Sequence, residues 1–141
     1  MTLTRKASAE WQGTVKEGKG TLTTDSKVLE STQYSFKSRF EDGKGTNPEE
    51  LIAAAHAGCF TMQLSALLSE EGADPTKLQT EAKVMLEDGE INKIILELSG
   101  EVEGIEGSKF EELANKAKEI CPVSKLFKAE IELKSKVLKP S

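Results

Sequence analysis

The chain has 141 residues, enough for one compact domain that buries roughly two-thirds of its unfolded surface. Its 30% charged and 37% hydrophobic residues, at a mean hydropathy of -0.41, fit a soluble globular chain, and one Trp, one Tyr and five Phe leave the core mainly to aliphatic side chains. A net charge of -5 and a pI near 5.1, with lysines scattered among glutamates, leave no concentrated basic face and exclude a nucleic-acid partner.

No apolar h-region follows Met1 to Arg5, so no signal sequence is expected and the chain is read as cytoplasmic. From Ala7 to Phe40 the sequence is rich in Gly, Thr and Ser, with apolar alternation at Leu22–Thr24, Val28–Leu29 and Tyr34–Phe36, which predicts a strand meander ending at Arg39. Lys16-Glu17-Gly18-Lys19-Gly20 is the expected hairpin turn, its glycines free to take positive φ. Glu41-Asp42-Gly43-Lys44-Gly45 is read as a flexible loop.

The pattern then changes. Asn47 can cap a helix, Pro48 suits its first position, and Glu49 and Glu50 sit at the positive end of its dipole. Nothing interrupts this helix before about Glu71, where Gly72 supplies a stop. Its apolar residues Leu51, Ile52, Phe60, Met62, Leu64, Leu67 and Leu68 run nearly all round, which predicts a central helix covered on most sides. Leu51–Leu68 has the length of a short membrane span, but it holds His56, Thr61, Gln63 and Ser65 between bordering glutamates and is read as soluble core, with no membrane partner.

After Asp74-Pro75, Leu78–Leu86 and Ile91–Val102 alternate about an Asp88-Gly89 turn, predicting a long antiparallel hairpin. Ser108 and Glu111 form a capping-box signature for a helix ending near Ile120. Pro122 opens a short helical turn with Cys121 in the capping position, and Ala129–Val137 alternates as a last strand. A hairpin between helices excludes a regular parallel βαβ alternation, so the reading is one α+β domain over residues 1–141, antiparallel sheet packed on a buried helix.

Two cysteines in a reducing compartment are buried thiols, metal ligands or a redox couple. Cys59 lies mid-helix, where burial raises a thiol pKa and the dipole helps little, so as a nucleophile it needs a cation from elsewhere; otherwise it is a small core residue. Cys121, at a helix mouth, is expected to face free backbone N–H groups as an acidic thiol, or merely to end one helix before the next. His56, three residues before Cys59, suggests a Cys–His pair or two zinc ligands, but there is no second histidine to complete a common site; neither metal nor cofactor is called for, and His56 is read as packed. Arg39 is the candidate cation, with solvation its ordinary fate; Glu49 has a sufficient local role at the helix start.

Thr46-Asn47-Pro48-Glu49-Glu50-Leu51-Ile52-Ala53-Ala54-Ala55-His56-Ala57-Gly58-Cys59-Phe60 and Cys121-Pro122-Val123-Ser124-Lys125 closely resemble the OsmC branch (osmotically inducible protein C) of the OsmC/Ohr peroxidases, and Ala9, Trp11, Gly13, Lys16, Gly18 and Gly20 look like that family's N-terminal hairpin. The resemblance implies an OsmC/Ohr-like fold, antiparallel sheets around long central helices in an intertwined homodimer. It also implies a thiol peroxidase of oxidative and osmotic stress defence. Cys59 would attack an organic or hydrogen peroxide and pass through a sulfenic acid to a disulfide with Cys121, reopened by a dithiol or thioredoxin-like reductant. By the same resemblance Arg39 stabilises the thiolate and Glu49 orients Arg39. Glu49 and Cys59 are ten residues apart on one helix, about 15 Å of rise, so if both serve one site, two subunits must share it. The competing readings are a small-ligand-binding module with passive cysteines and a zinc or Cys–His hydrolase.

Overall fold

The computed structural model describes residues 2–41 and 43–138. Of the expected N-terminal segment and the loop after Arg39, Met1 and Asp42 lie outside the described residues. The chain forms two compact units, the first reaching Leu51 and the second starting at Ile52.

The first unit holds a three-stranded antiparallel sheet, β1 (Ala7–Gln12), β2 (Lys19–Thr24) and β3 (Thr32–Tyr34), in that spatial order. The turn joining β1 to β2 takes its positive φ at Gly13 (98°), not in the predicted Lys16–Gly20 stretch, since Lys19 and Gly20 already belong to β2. Gly20 serves a different need. It stands between Trp11 and Tyr34 in register, and a Cβ there would come within 2.5 Å of both rings, so the bare backbone lets the two aromatics lean together at 5.5 Å. Val28–Leu29 is not strand; Val28 is 83% exposed in the turn between β2 and β3. The meander also ends sooner than expected. Ser35 and Ser38 cap each other reciprocally and start α1 (Phe36–Phe40), so Arg39 lies in a short helix and not at a strand end.

Helix α2 (Pro48–Glu70) begins as its sequence dictates, with the Glu50 N–H donating to Asn47 Oδ1 at 2.7 Å and Pro48 in first position, and Gly72 follows its end at φ 78°. In the second unit its covered face is His56, Phe60, Leu64, Leu67 and Leu68, spaced by three or four. The expectation of cover on most sides fails within this chain: Met62, on another face, is 76% exposed. Among the described residues α2 alone is long and apolar enough to cross a membrane, and that buried stripe is what a core helix presents.

The predicted hairpin is β4 (Pro75–Glu87) and β5 (Glu90–Val102), with Asp88 and Gly89 left-handed at φ 52° and 77° in a two-residue turn. Alternate residues Ile94, Leu96, Leu98 and Val102 point inward. Helix α3 (Gly107–Ile120) covers them with Phe110, Leu113, Ala114 and Ala117. Its expected capping box does not form, because the N-cap lies two residues earlier, at Glu106, which makes no side-chain cap bond. Helix α4 (Pro122–Leu126) and strand β6 (Glu130–Leu138) complete the unit. β6 pairs parallel to β5, the two helices supplying the crossover that parallel neighbours need, so this sheet of the α+β fold is mixed. Phe110 is 1% exposed between helix and sheet. Phe110→Ala should lower unfolding stability by about 3–5 kcal/mol, read as a fall in the urea midpoint at unchanged slope.

Candidate active site

In the first unit, α1 and the head of α2 are pinned together by polar contacts. Asn47 Nδ2 donates to the Ser38 carbonyl at 2.7 Å, and Thr46 Oγ1 donates to Glu50 Oε2 at 2.8 Å. These place Arg39 opposite Glu49, and the guanidinium forks onto the carboxylate: Nε donates to Oε1 at 3.1 Å and Nη2 to Oε2 at 3.0 Å. The Arg39 guanidinium also lies 5.2 Å from the centre of the Phe40 ring. Arg39 keeps 42% of its side chain exposed while Glu49 keeps 12%, so the carboxylate fixes one edge of the cation and leaves the rest open. Beside Arg39 runs an apolar cleft of about 240 Å³ lined by Trp11, Val15, Tyr34, Phe36, Phe40 and Pro48.

The second unit brings the two cysteines together. Cys59, half-buried on α2, and Cys121, fully buried where α3 gives way to α4, have their sulfurs 2.9 Å apart although 62 residues separate them in sequence. Both thiols are free. Cys121 caps α4 only by position, for its sulfur takes no cap hydrogen bond; the Val123 N–H of that helix mouth serves the Cys59 sulfur instead. This reverses the expectation that the free N–H groups would face Cys121. Burial pushes the Cys59 thiol above its usual range, and so does its hydrogen bond with Cys121 at 2.9 Å, while the Val123 N–H pulls it down. None of these influences is a cation.

His56 is fully buried one helical turn before Cys59, but its partner is not a thiol: Nε2 lies 2.7 Å from Ser124 Oγ. Among the described residues no three His, Cys, Asp or Glu side chains gather as metal ligands would. The cysteine pair and the Arg39–Glu49 fork are thus each assembled, one in either unit. Two further features were not foreseen. The aromatic cleft could have been suspected from Trp11, Tyr34, Phe36 and Phe40, which place more than half of the chain's few aromatics around Arg39. The Ser124–His56 bond left no local signal, because it joins residues 68 apart.

The fold and these residues define an α+β dithiol protein. The chain belongs to the OsmC-like family: the family model described as OsmC-like protein matches residues 41–136. It is 50% identical over 137 residues to Peroxiredoxin OsmC of Escherichia coli (strain K12), across 94% of this chain and 96% of that protein. Among solved structures it resembles the organic hydroperoxide resistance protein OhrB of Bacillus subtilis, with TM-score 0.60 and 26% identity over 94% of this chain and 98% of that one. An OsmC-like protein of unknown function from Vibrio cholerae shares the fold at TM-score 0.75, with 15% identity over 95% and 99% of the two chains.

Proposed function

We propose that this chain is a soluble, cytoplasmic thiol peroxidase that reduces organic hydroperoxides and hydrogen peroxide in oxidative and osmotic stress defence, its two units working as one domain. The observation that carries this reading is the 2.9 Å approach of the Cys59 and Cys121 sulfurs. The Cys59 thiolate attacks the distal peroxide oxygen. The O–O bond breaks, the alcohol leaves with a proton, and Cys59 is left as a sulfenic acid. The Cys121 thiolate then attacks the Cys59 sulfur and expels hydroxide, which leaves as water, closing a disulfide between residues already in reach. A dithiol or thioredoxin-like donor restores both thiols by exchange. The names of the relatives, a peroxiredoxin and an organic hydroperoxide resistance protein, agree with this chemistry.

Among the described residues of its own unit no cation acts on Cys59, and the Arg39–Glu49 fork is the group suited to supply one. Glu49 cannot reach Cys59 along its own helix, about 15 Å of rise away, so the fork acts on the partner subunit's thiol in a homodimer with shared sites. The exposed Met62 face of α2, apolar and uncovered in the single chain, supports a second copy packing there. The aromatic cleft beside Arg39 suits the hydrocarbon part of an organic hydroperoxide.

Stoichiometric cumene hydroperoxide added to the reduced protein should consume both thiols of each chain and leave an intramolecular Cys59–Cys121 disulfide. Retention of two free thiols would instead favour a small-ligand-binding module with passive cysteines.

A further inference from the structure

The chemistry proposed above uses two sulfurs, yet the same two helices carry a second, parallel link. His56 and Ser124 stand three residues before Cys59 and three after Cys121, so α2 and α4 are joined by two rungs, Cys59–Cys121 at 2.9 Å and His56–Ser124 at 2.7 Å. Helix α4 has only five residues, and its outer side is open to water, with Leu126 75% exposed. Its inner side, at the i and i+3 spacing, is Cys121, Ser124 and the following Phe127. Phe127 meets the edge of the His56 ring at 5.3 Å. His56 therefore grips the two residues after Cys121 that face inward.

This grip is polar where a stable core would not need it to be. Replacing both partners of a buried neutral hydrogen bond with apolar groups of like shape is often nearly neutral, so the pair adds less to stability than to register. Its cost is visible: among the described residues the buried His56 Nδ1 has no hydrogen-bond partner. Burial holds the imidazole pKa down, and a neutral ring keeps one proton to share with the Ser124 hydroxyl.

We propose that His56 and Ser124 are positioning residues that hold the Cys121 turn against Cys59, setting the rate at which the sulfenic acid is resolved without taking part in peroxide attack. The inference rests on the two-cysteine reading. When the Cys59 sulfur gains an oxygen, Cys121 must attack it from behind the new S–O bond, so a turn fixed at one register meets the sulfur in line. A turn released from His56 leaves the sulfenic acid waiting, open to a second peroxide that takes it to sulfinic acid, with one further alcohol released.

The test uses the full chain as wild type, Ser124→Ala and Ser124→Thr, reduced and mixed rapidly with one equivalent of cumene hydroperoxide. Peroxide loss times the first step and acid-quenched thiol counting times disulfide closure. Ser124→Ala should attack peroxide within about twofold of wild type but close the disulfide about tenfold more slowly, as loss of one oriented hydrogen bond allows. With excess peroxide it should accumulate Cys59 sulfinic acid, seen by mass. Ser124→Thr, which keeps the hydroxyl, should restore closure. His56→Phe, which keeps the aromatic contact with Phe127 and loses the hydrogen bond, should reproduce the closure defect and serves where Ser124→Ala does not fold. Closure at the wild-type rate in the folded variants, or equal slowing of both steps, overturns the proposal. A wild type that keeps its thiols after peroxide overturns the two-cysteine reading itself, and this inference with it.

Discussion

Cys59→Ser should lower hydroperoxide turnover at least about 10³-fold, the scale on which removal of a nucleophile is felt. A hydroxyl at this position stays protonated at neutral pH and does not attack the O–O bond, whereas a thiol ionises in the accessible range. Cys121 cannot stand in, because it is fully buried while Cys59 keeps part of its surface open. The substitution is nearly isosteric in a half-buried position, so circular dichroism and the thermal midpoint should change little. Cys121→Ser provides the contrast. It should consume one peroxide per chain at close to the wild-type rate and stop with Cys59 one oxygen heavier, trappable by a sulfenic-acid reagent. Equal turnover in wild type and Cys59→Ser would sink the assignment of the attacking sulfur.

The parts of this protein that were legible in its sequence are those set by neighbours along the chain. Asn47 and Pro48 start α2, Asp88 and Gly89 turn β4 into β5, and Pro122 opens α4; each outcome depends on backbone preferences within about four residues. The misreadings share the opposite cause. Tyr34–Phe36 alternates like a strand, but the reciprocal Ser35–Ser38 cap, in which a serine replaces the usual Glu or Gln, turns the chain into α1 and carries Arg39 with it. The parallel seat of β6 depends on how α3 and α4 cross over, which no strand pattern records. The cysteine motifs marked both thiols, while the direction of the Val123 N–H toward Cys59 and the His56–Ser124 rung are set by packing between residues more than sixty positions apart. Local rules could name the groups and the elements that carry them. Contacts made across the fold decide which group serves which sulfur.

Arg39→Ala carries the largest consequence for how the site is built. A guanidinium within about 4–6 Å lowers the pKa of a neighbouring thiol by roughly one to three, so its loss should slow peroxide attack at neutral pH by about 10- to 10³-fold. The sign of the pH effect follows from the surroundings that remain. Burial and Cys121 hold Cys59 up, and without the cation its thiolate forms only at higher pH, so the acid limb of kcat/KM should move upward and part of the rate should return in alkali. Glu49→Gln should give a smaller defect, since it loosens the fork without removing the charge. The decisive measurement mixes Arg39→Ala with Cys59→Ser after reversible dissociation. Cys59→Ser lacks the nucleophile and Arg39→Ala the cation, but a mixed dimer with shared sites joins an intact Arg39 from one chain to an intact Cys59 from the other. Random re-pairing should then recover about a quarter of wild-type activity, because half the dimers are mixed and each holds one complete site. A mixture no more active than its components would place Arg39 and Cys59 in the same subunit's site, or show that no cation is shared, and would remove the intertwined dimer from the mechanism.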